Sequence, residues 1–111
     1  MSSGDDLAII QELIERLQDS DCVVRLHAGT VLGALGEDAA AAVPALIRML
    51  ETGDIHDRKL AALTLGEIGP AAGGAIPALI QAGDDDNDGV SEMAIWALEE
   101  IDLAEGQEEA A

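Results

Sequence analysis

The sequence predicts an all-α protein, a short right-handed α-solenoid of about six helices, and three observations carry that prediction. The chain is 49% hydrophobic yet holds no Phe, no Tyr and a single Trp, so its core must be built from Ala, Leu and Ile. Those residues favour helices over strands. A 33-residue pattern repeats without a gap: residues 21–53, DCVVRLHAGTVLGALGEDAAAAVPALIRMLETG, lie over residues 54–86, DIHDRKLAALTLGEIGPAAGGAIPALIQAGDDD, with twelve identities. Within each unit, apolar residues recur at helical spacing, with glycine and proline where helices stop and start.

The identities mark out the elements. Asp21/Asp54, Arg25/Arg58, Leu32/Leu65, Gly33/Gly66, Gly36/Gly69 and Pro44/Pro77 are all repeated pairs. The same offset reaches outward: Ile10, Leu13, Ile14 and Leu17 correspond to Val43, Leu46, Ile47 and Leu50, while Ala94, Leu98 and Ile101 correspond to Ala61, Leu65 and Ile68. One domain over 1–103 therefore holds units at about 7–20, 21–53, 54–86 and 87–103, and an acidic tail at 104–111 is expected to be disordered. Helices are expected over 6–18, 22–35, 40–51, 55–68, 73–82 and 89–103.

Each unit reads as a first and a second helix. In the first, Val24, Ala28, Val31 and Leu35 form one apolar stripe with Leu32 beside it. Asp21, Asp54 and Asn87 stand at N-cap positions, where a side-chain oxygen accepts from a free amide of the first turn. Gly36 and Gly69 are expected to end these helices in the left-handed conformation. Pro44 and Pro77 fall in the first turn of the second helices, where a missing N–H is harmless. Gly33 and Gly66 lie inside helices, at a cost of about 1 kcal/mol each relative to Ala, so another backbone is expected close by. In the last unit the positions of Gly66 and Gly69 become Glu99 and Asp102, polar residues suited to an end.

Charge narrows the function. Against 23 acidic residues stand five basic ones, a net charge of −18. Such a field repels phosphate backbones and anionic lipid, which argues against nucleic-acid and membrane partners and leaves a basic protein partner. A high-salt cytoplasm is the other explanation for the acidity. No run of apolar residues is long enough to span a bilayer, and the start MSSGDDLAII lacks a positively charged region, so the chain reads as cytoplasmic. The lone Cys22 cannot form an internal disulfide and is expected to be a small buried residue.

The strings VRLHAGTVLGALG, LAALTLGEIGPAA and AVPALIRML resemble HEAT-like repeats, above all the short kind found in phycobilisome bilin lyases and in deoxyhypusine hydroxylase. The resemblance covers about residues 7–103 and implies a scaffold or a binder of peptides and proteins. Deoxyhypusine hydroxylase holds two irons with adjacent His-Glu pairs at the start of its first helices. The matching pairs here are Leu26-His27, Lys59-Leu60 and Glu92-Met93, so no repeat keeps both ligands and no diiron site is expected. His27 and His56 occupy different repeat positions. The lyase resemblance implies, as an alternative, an accessory or lyase-like subunit acting on pigment-binding proteins.

Four further features are candidates for function. GDDDNDG, residues 83–89, matches the first half of a calcium loop through Asp84, Asp86 and Asp88, with Glu92 as a ninth-position ligand. The twelfth position is Ile95 instead of a bidentate carboxylate, so only a weak calcium-dependent binder is in view, and an acidic helix start is the plainer reading. Asp21–Arg25 and Asp54–Arg58 recur at i, i+4 and predict a structural ladder of ion pairs. Trp96 lies off the stripe Val90, Ala94, Ala97 and Ile101, and is either an interface anchor or a cap on the core. Arg48, Met49 and Gln81, on the ridged surface of the second helices, join Trp96 as partner-binding candidates. The expectation is a non-enzymatic HEAT-like interaction module with no catalytic residues and no cofactor, able to pair with itself through its terminal helices.

Overall fold

Short polar side chains at the unit boundaries start the helices. Asp21 accepts from the backbone N–H of Val23 at 2.9 Å. Asp54 accepts from Asp57 at 2.8 Å while Asp57 reaches back to the N–H of Asp54 at 3.4 Å, a reciprocal cap. Asn87 accepts from the N–H of Val90 at 3.0 Å. The computed structural model of the chain describes the backbone of residues 3–110 and the side chains of residues 7–102. From the three caps run α2 (Cys22–Leu35), α4 (Ile55–Ile68) and α6 (Asp88–Ala110); α1 (Ser3–Arg16) precedes them, and α3 (Val43–Thr52) and α5 (Ile76–Ala82) are the second helices of the two whole units.

Glycine ends α2 and α4 as expected, but in a different conformation. Gly36 has φ +60° and ψ −133°, and Gly69 has φ +80° and ψ −144°. That is not the left-handed helical well but an extended region at positive φ that is open to glycine almost alone. The chain then continues as the 3-10 helices Gly36–Ala42 and Gly69–Ala75, where turns were expected, and α3 and α5 begin at Val43 and Ile76 instead of 40 and 73. Ala39 and Ala72 kink these connections, and with Ala42 and Ala75 they are fully buried. A connection of small residues packed on the core keeps local hydrogen bonds because water cannot replace them. Helical backbone among the described residues therefore forms four uninterrupted runs, where six separate helices were expected. α6 carries on to Ala110, so helical backbone covers 104–110, assigned from sequence to a disordered tail. Leu103, Ala104, Glu105 and Gln107 are good helix formers that extend a helix already begun.

Packing follows the repeat. α4 lies between α2 and α6, α3 packs on α4, α5 on α6 and α1 on α2. Leu32, Leu46, Leu65, Leu79, Val90 and Ile101 are wholly buried between these helices. In α2 the buried sector runs through Ala28, Gly29, Leu32 and Gly33, displaced from the expected stripe: Val24 and Val31 are half-buried and Leu35 is 37% exposed. Having a neighbour on each side, α1 and α4, shifts burial toward the small residues that let them approach. At Gly66 an added Cβ would lie 3.0 Å from Ala97 Cα and against the Trp96 ring, so backbone does pass close there. At Gly33 the neighbour is the side chain of Glu67, not backbone. Buried Thr64 donates to the carbonyl of Gly29 at 3.2 Å, tying α4 to α2.

The recurring arginines bridge units instead of pairing within a helix. Arg25 Nε donates to Asp57 at 2.8 Å, and Arg58 donates to both oxygens of Asp85 at 2.9 and 3.3 Å. Each also donates to turn carbonyls, those of Asp19 and Ser20 for Arg25 and that of Gly53 for Arg58. The expected Asp21–Arg25 and Asp54–Arg58 pairs do not form because both aspartates cap helices. Asp54 is held below its ordinary pKa first by the N–H of Asp57, and Asp85 first by the N–H of Asn87 and then by Arg58. The hydrogen bond that Arg25 donates to Asp57 is the main cause that raises the pKa of Arg25.

Two helical runs, Cys22–Thr52 and Ile55–Ala82, have a mean hydropathy of 1.4 and 1.3 over their most apolar 18 residues. Each is folded at its positive-φ glycine, and α2 and α4 span 14 residues apiece. At 1.5 Å per residue that is about 21 Å, short of the roughly 30 Å of a bilayer core.

Two predictions follow from the backbone and the bridges. Gly69→Ala is expected to destabilise the fold by about 1–3 kcal/mol through its positive φ, whereas Gly74→Ala, with open space around it, changes stability by less than about 1 kcal/mol in either direction. Urea melts of the two variants side by side check this. Asp85 has a folded pKa below the usual 3.8, so its stabilisation is present above that pH and is lost as pH falls through the folded value. The destabilisation from Asp85→Asn, measured by urea melts across pH, should be largest near neutrality and close toward zero in acid.

Candidate interaction surface

Side-by-side packing of α2, α4 and α6 brings residues 33 apart in sequence together across three helices. Two depressions of about 380 and 460 Å³ cross this face and share Lys59, Leu63 and Met93, so they form one groove. Leu26, Leu60, Cys22 and His56 line its α2 end, and Glu92, Gly89 and Trp96 its α6 end. The lining repeats by position: Leu26, Lys59 and Glu92 are equivalents, as are Leu60 and Met93, and Leu63 and Trp96. Leu60 is 7% exposed and supports the groove from beneath, while Leu26, at 55%, stands open to solvent. Asp54 and Asp88 are exposed at the starts of the helices, and Glu67 and Glu100 are exposed one turn beyond Leu63 and Trp96. The groove's lining is thus largely apolar, with Asp57, Lys59 and Glu92 its charged lining residues, and further acidic side chains stand beyond it along the helices on both flanks.

The four sequence-derived partner candidates fall in three places. Arg48 and Met49 share an open depression of about 500 Å³ with Leu17, Ala45 and the Arg25–Asp57 bridge. Gln81 is exposed on α5 and lines neither depression. Trp96 is half-buried; its ring covers Gly66 and its other side opens on the groove, so it caps the core and faces solvent at once. Leu26, Lys59, Leu60, Leu63 and Met93 were not singled out in the sequence. The signal was there, since Leu60, Leu63 and Met93 are apolar yet lie off the recurring core stripe.

The calcium candidates are not brought together. Helical-type hydrogen bonds carry the chain through Gly83, Asp84 and Asp85, and Ser91 ties the turn by donating to the carbonyl of Gly83 at 2.6 Å. Asp85 turns inward to Arg58 and to the N–H of Asn87, whereas Asp84, Asp86, Asp88 and Glu92 are all exposed. Among the described residues no group of three or more His, Cys, Asp or Glu is placed to hold a metal ion. His27 and His56 are exposed.

Cys22 is exposed, contrary to the expectation of burial. It is the first residue of α2 and lies about 240° round the helix from buried Ala28 at 3.6 residues per turn, so its thiol meets the mouth of the groove and not the core.

The sequence pattern of the family described as HEAT repeats matches residues 10–99. No curated protein matches the chain.

The thiol offers a direct check on this face. Ellman's reagent should label Cys22 stoichiometrically in the folded protein without denaturant, and a thiol that reacts only after unfolding would contradict the placement of α2.

Proposed function

This chain belongs to the HEAT-repeat family, and we propose that it is a non-enzymatic protein-interaction module, a short right-handed solenoid whose strongly acidic surface receives a basic protein in the cytoplasm. HEAT repeats generally mediate protein–protein interaction. The solenoid reading is supported by the position of α4 between α2 and α6, with α3 and α5 in contact on the other layer. The observation that carries the functional reading is the continuous apolar groove across α2, α4 and α6, since exposed apolar patches rimmed by polar groups mark places where proteins meet. Its exposed lining surface is mostly apolar, from Leu26, Leu60, Leu63, Met93 and Trp96, with Cys22, His56, Asp57, Lys59 and Glu92 among them, and that supports binding over catalysis.

Charge supports the basic partner. A net charge of −18 speeds association with a cationic surface and makes it sensitive to salt. Self-association is the second use of the surface that a specific observation favours: Leu7 and Ile9 on α1 are 57% and 52% exposed, and Ile95 on α6 is 48% exposed.

The test is capture on the immobilised protein from its native cell extract at low salt, with mass spectrometry of what salt elutes, alongside light scattering of the protein alone. A stoichiometric basic protein released by salt is the expected result. Capture of none overturns the module reading, and a monomer at every concentration removes self-association.

A further inference from the structure

The groove and its charged flanks say more than that a protein binds. We propose that the groove across α2, α4 and α6 takes an amphipathic helix of a partner, laid across the three helices with its apolar stripe on Leu26, Leu63, Met93 and Trp96 and basic residues along both sides. The inference rests on the protein-binding reading above and names the form and chemistry of the partner.

Geometry selects a helix. The described residues hold no strand, so this face offers no edge of free N–H and C=O groups to which an extended peptide could add. What it offers is a strip of side chains between two polar margins, and a helix with apolar residues at i, i+3, i+4 and i+7 presents the matching pattern. Neighbouring helices pack about 8–10 Å apart, so α2 and α6 lie roughly 20 Å apart, the length of a helix of about 14 residues.

Charge selects a basic one. Asp54 and Asp88 stand at one margin and Glu67 and Glu100 at the other, all exposed. The arginines nearest the first margin, Arg25 and Arg58, are taken up by Asp57 and Asp85 at 2.8 and 2.9 Å. Lysine or arginine on both flanks of the incoming helix would therefore meet opposite charge on both sides. Lys59, inside the strip, lies where an acidic or carbonyl group of the partner would face it. A second copy of this chain is a poor occupant, since its own surface carries the same acidic excess.

Trp96 is the chain's single tryptophan and lines the groove, so its fluorescence reads occupancy directly. The probes are three synthetic peptides of about 18 residues without aromatic groups: a Leu-striped helix with Lys on both flanks, the same composition scrambled, and the Leu-striped helix with Glu for Lys. The first should shift Trp96 emission and saturate, and the other two should bind at least about tenfold more weakly. Leu26→Gln, at a position already open to solvent, should weaken the first peptide by about tenfold, as should Leu63→Gln once circular dichroism shows that it folds. Glu67→Gln with Glu100→Gln should weaken it and flatten its salt dependence.

Equal binding of the scrambled peptide reduces the effect to bulk charge and overturns the proposal. So does equal binding of the Glu-flanked peptide, or unchanged affinity in the groove variants. A Trp96 shift on concentrating the protein alone that Leu26→Gln abolishes puts a second copy in the groove and also overturns it. Capture of the same cellular protein by wild type and by Leu26→Gln would keep the interaction module and remove the groove as its site.

Discussion

Everything in this molecule depends on burial that no unit achieves by itself. Leu32 in α2, Leu65 in α4 and Ile101 in α6 are each fully covered, in helices that pack against helices of a neighbouring unit. With no Phe or Tyr to fill space, the core closes by bringing backbones together, and the alanines and glycines at the contacts allow it. Gly66 against Ala97 and Trp96 shows how tight that approach is. The alanines of the two 3-10 connections serve the same end, since Ala39, Ala42, Ala72 and Ala75 leave no exposed surface.

Charge works against this compactness and is managed locally. A net charge of −18 on 111 residues destabilises a compact state by self-repulsion. Arg25 and Arg58 each join a carboxylate to a backbone carbonyl of the preceding turn, Arg25 reaching Asp57 in the following unit and Arg58 reaching Asp85 at the end of its own. Aspartates at the helix starts are placed where the helix dipole and free amides favour them. Among the described residues every Asp and Glu other than Asp57 and Asp85 is exposed to solvent.

The fold divides labour between the two sides of its first helices. One side of α2, α4 and α6 closes the core; the other carries exposed Leu26 and half-buried Leu63, Met93 and Trp96 along the groove. A fold of this kind presents such a face without prescribing chemistry for it.

Much of the architecture was legible in the chain by itself: the 33-residue repeat, the caps at Asp21, Asp54 and Asn87, the glycine stops and the starts marked by Pro44 and Pro77. Each is a local matter, set by spacing along one helix or by the chemistry of one terminus, so the sequence carries it in full. Tertiary structure decided what depends on distances between units. Arg25 looked like the partner of Asp21, four residues away, yet Asp21 is committed to the amide of Val23 and the guanidinium turns to Asp57. Cys22 looked like a core residue by type, but its angle round α2 faces the groove. Alternating aspartates at 84, 86 and 88 left a weak calcium loop in view beside the plainer acidic helix start, and only the folded turn shows that no group of three ligands is placed there. The groove itself is assembled from three helices, and periodicity within a helix reports which face is apolar without saying which neighbour, or how much solvent, that face will meet.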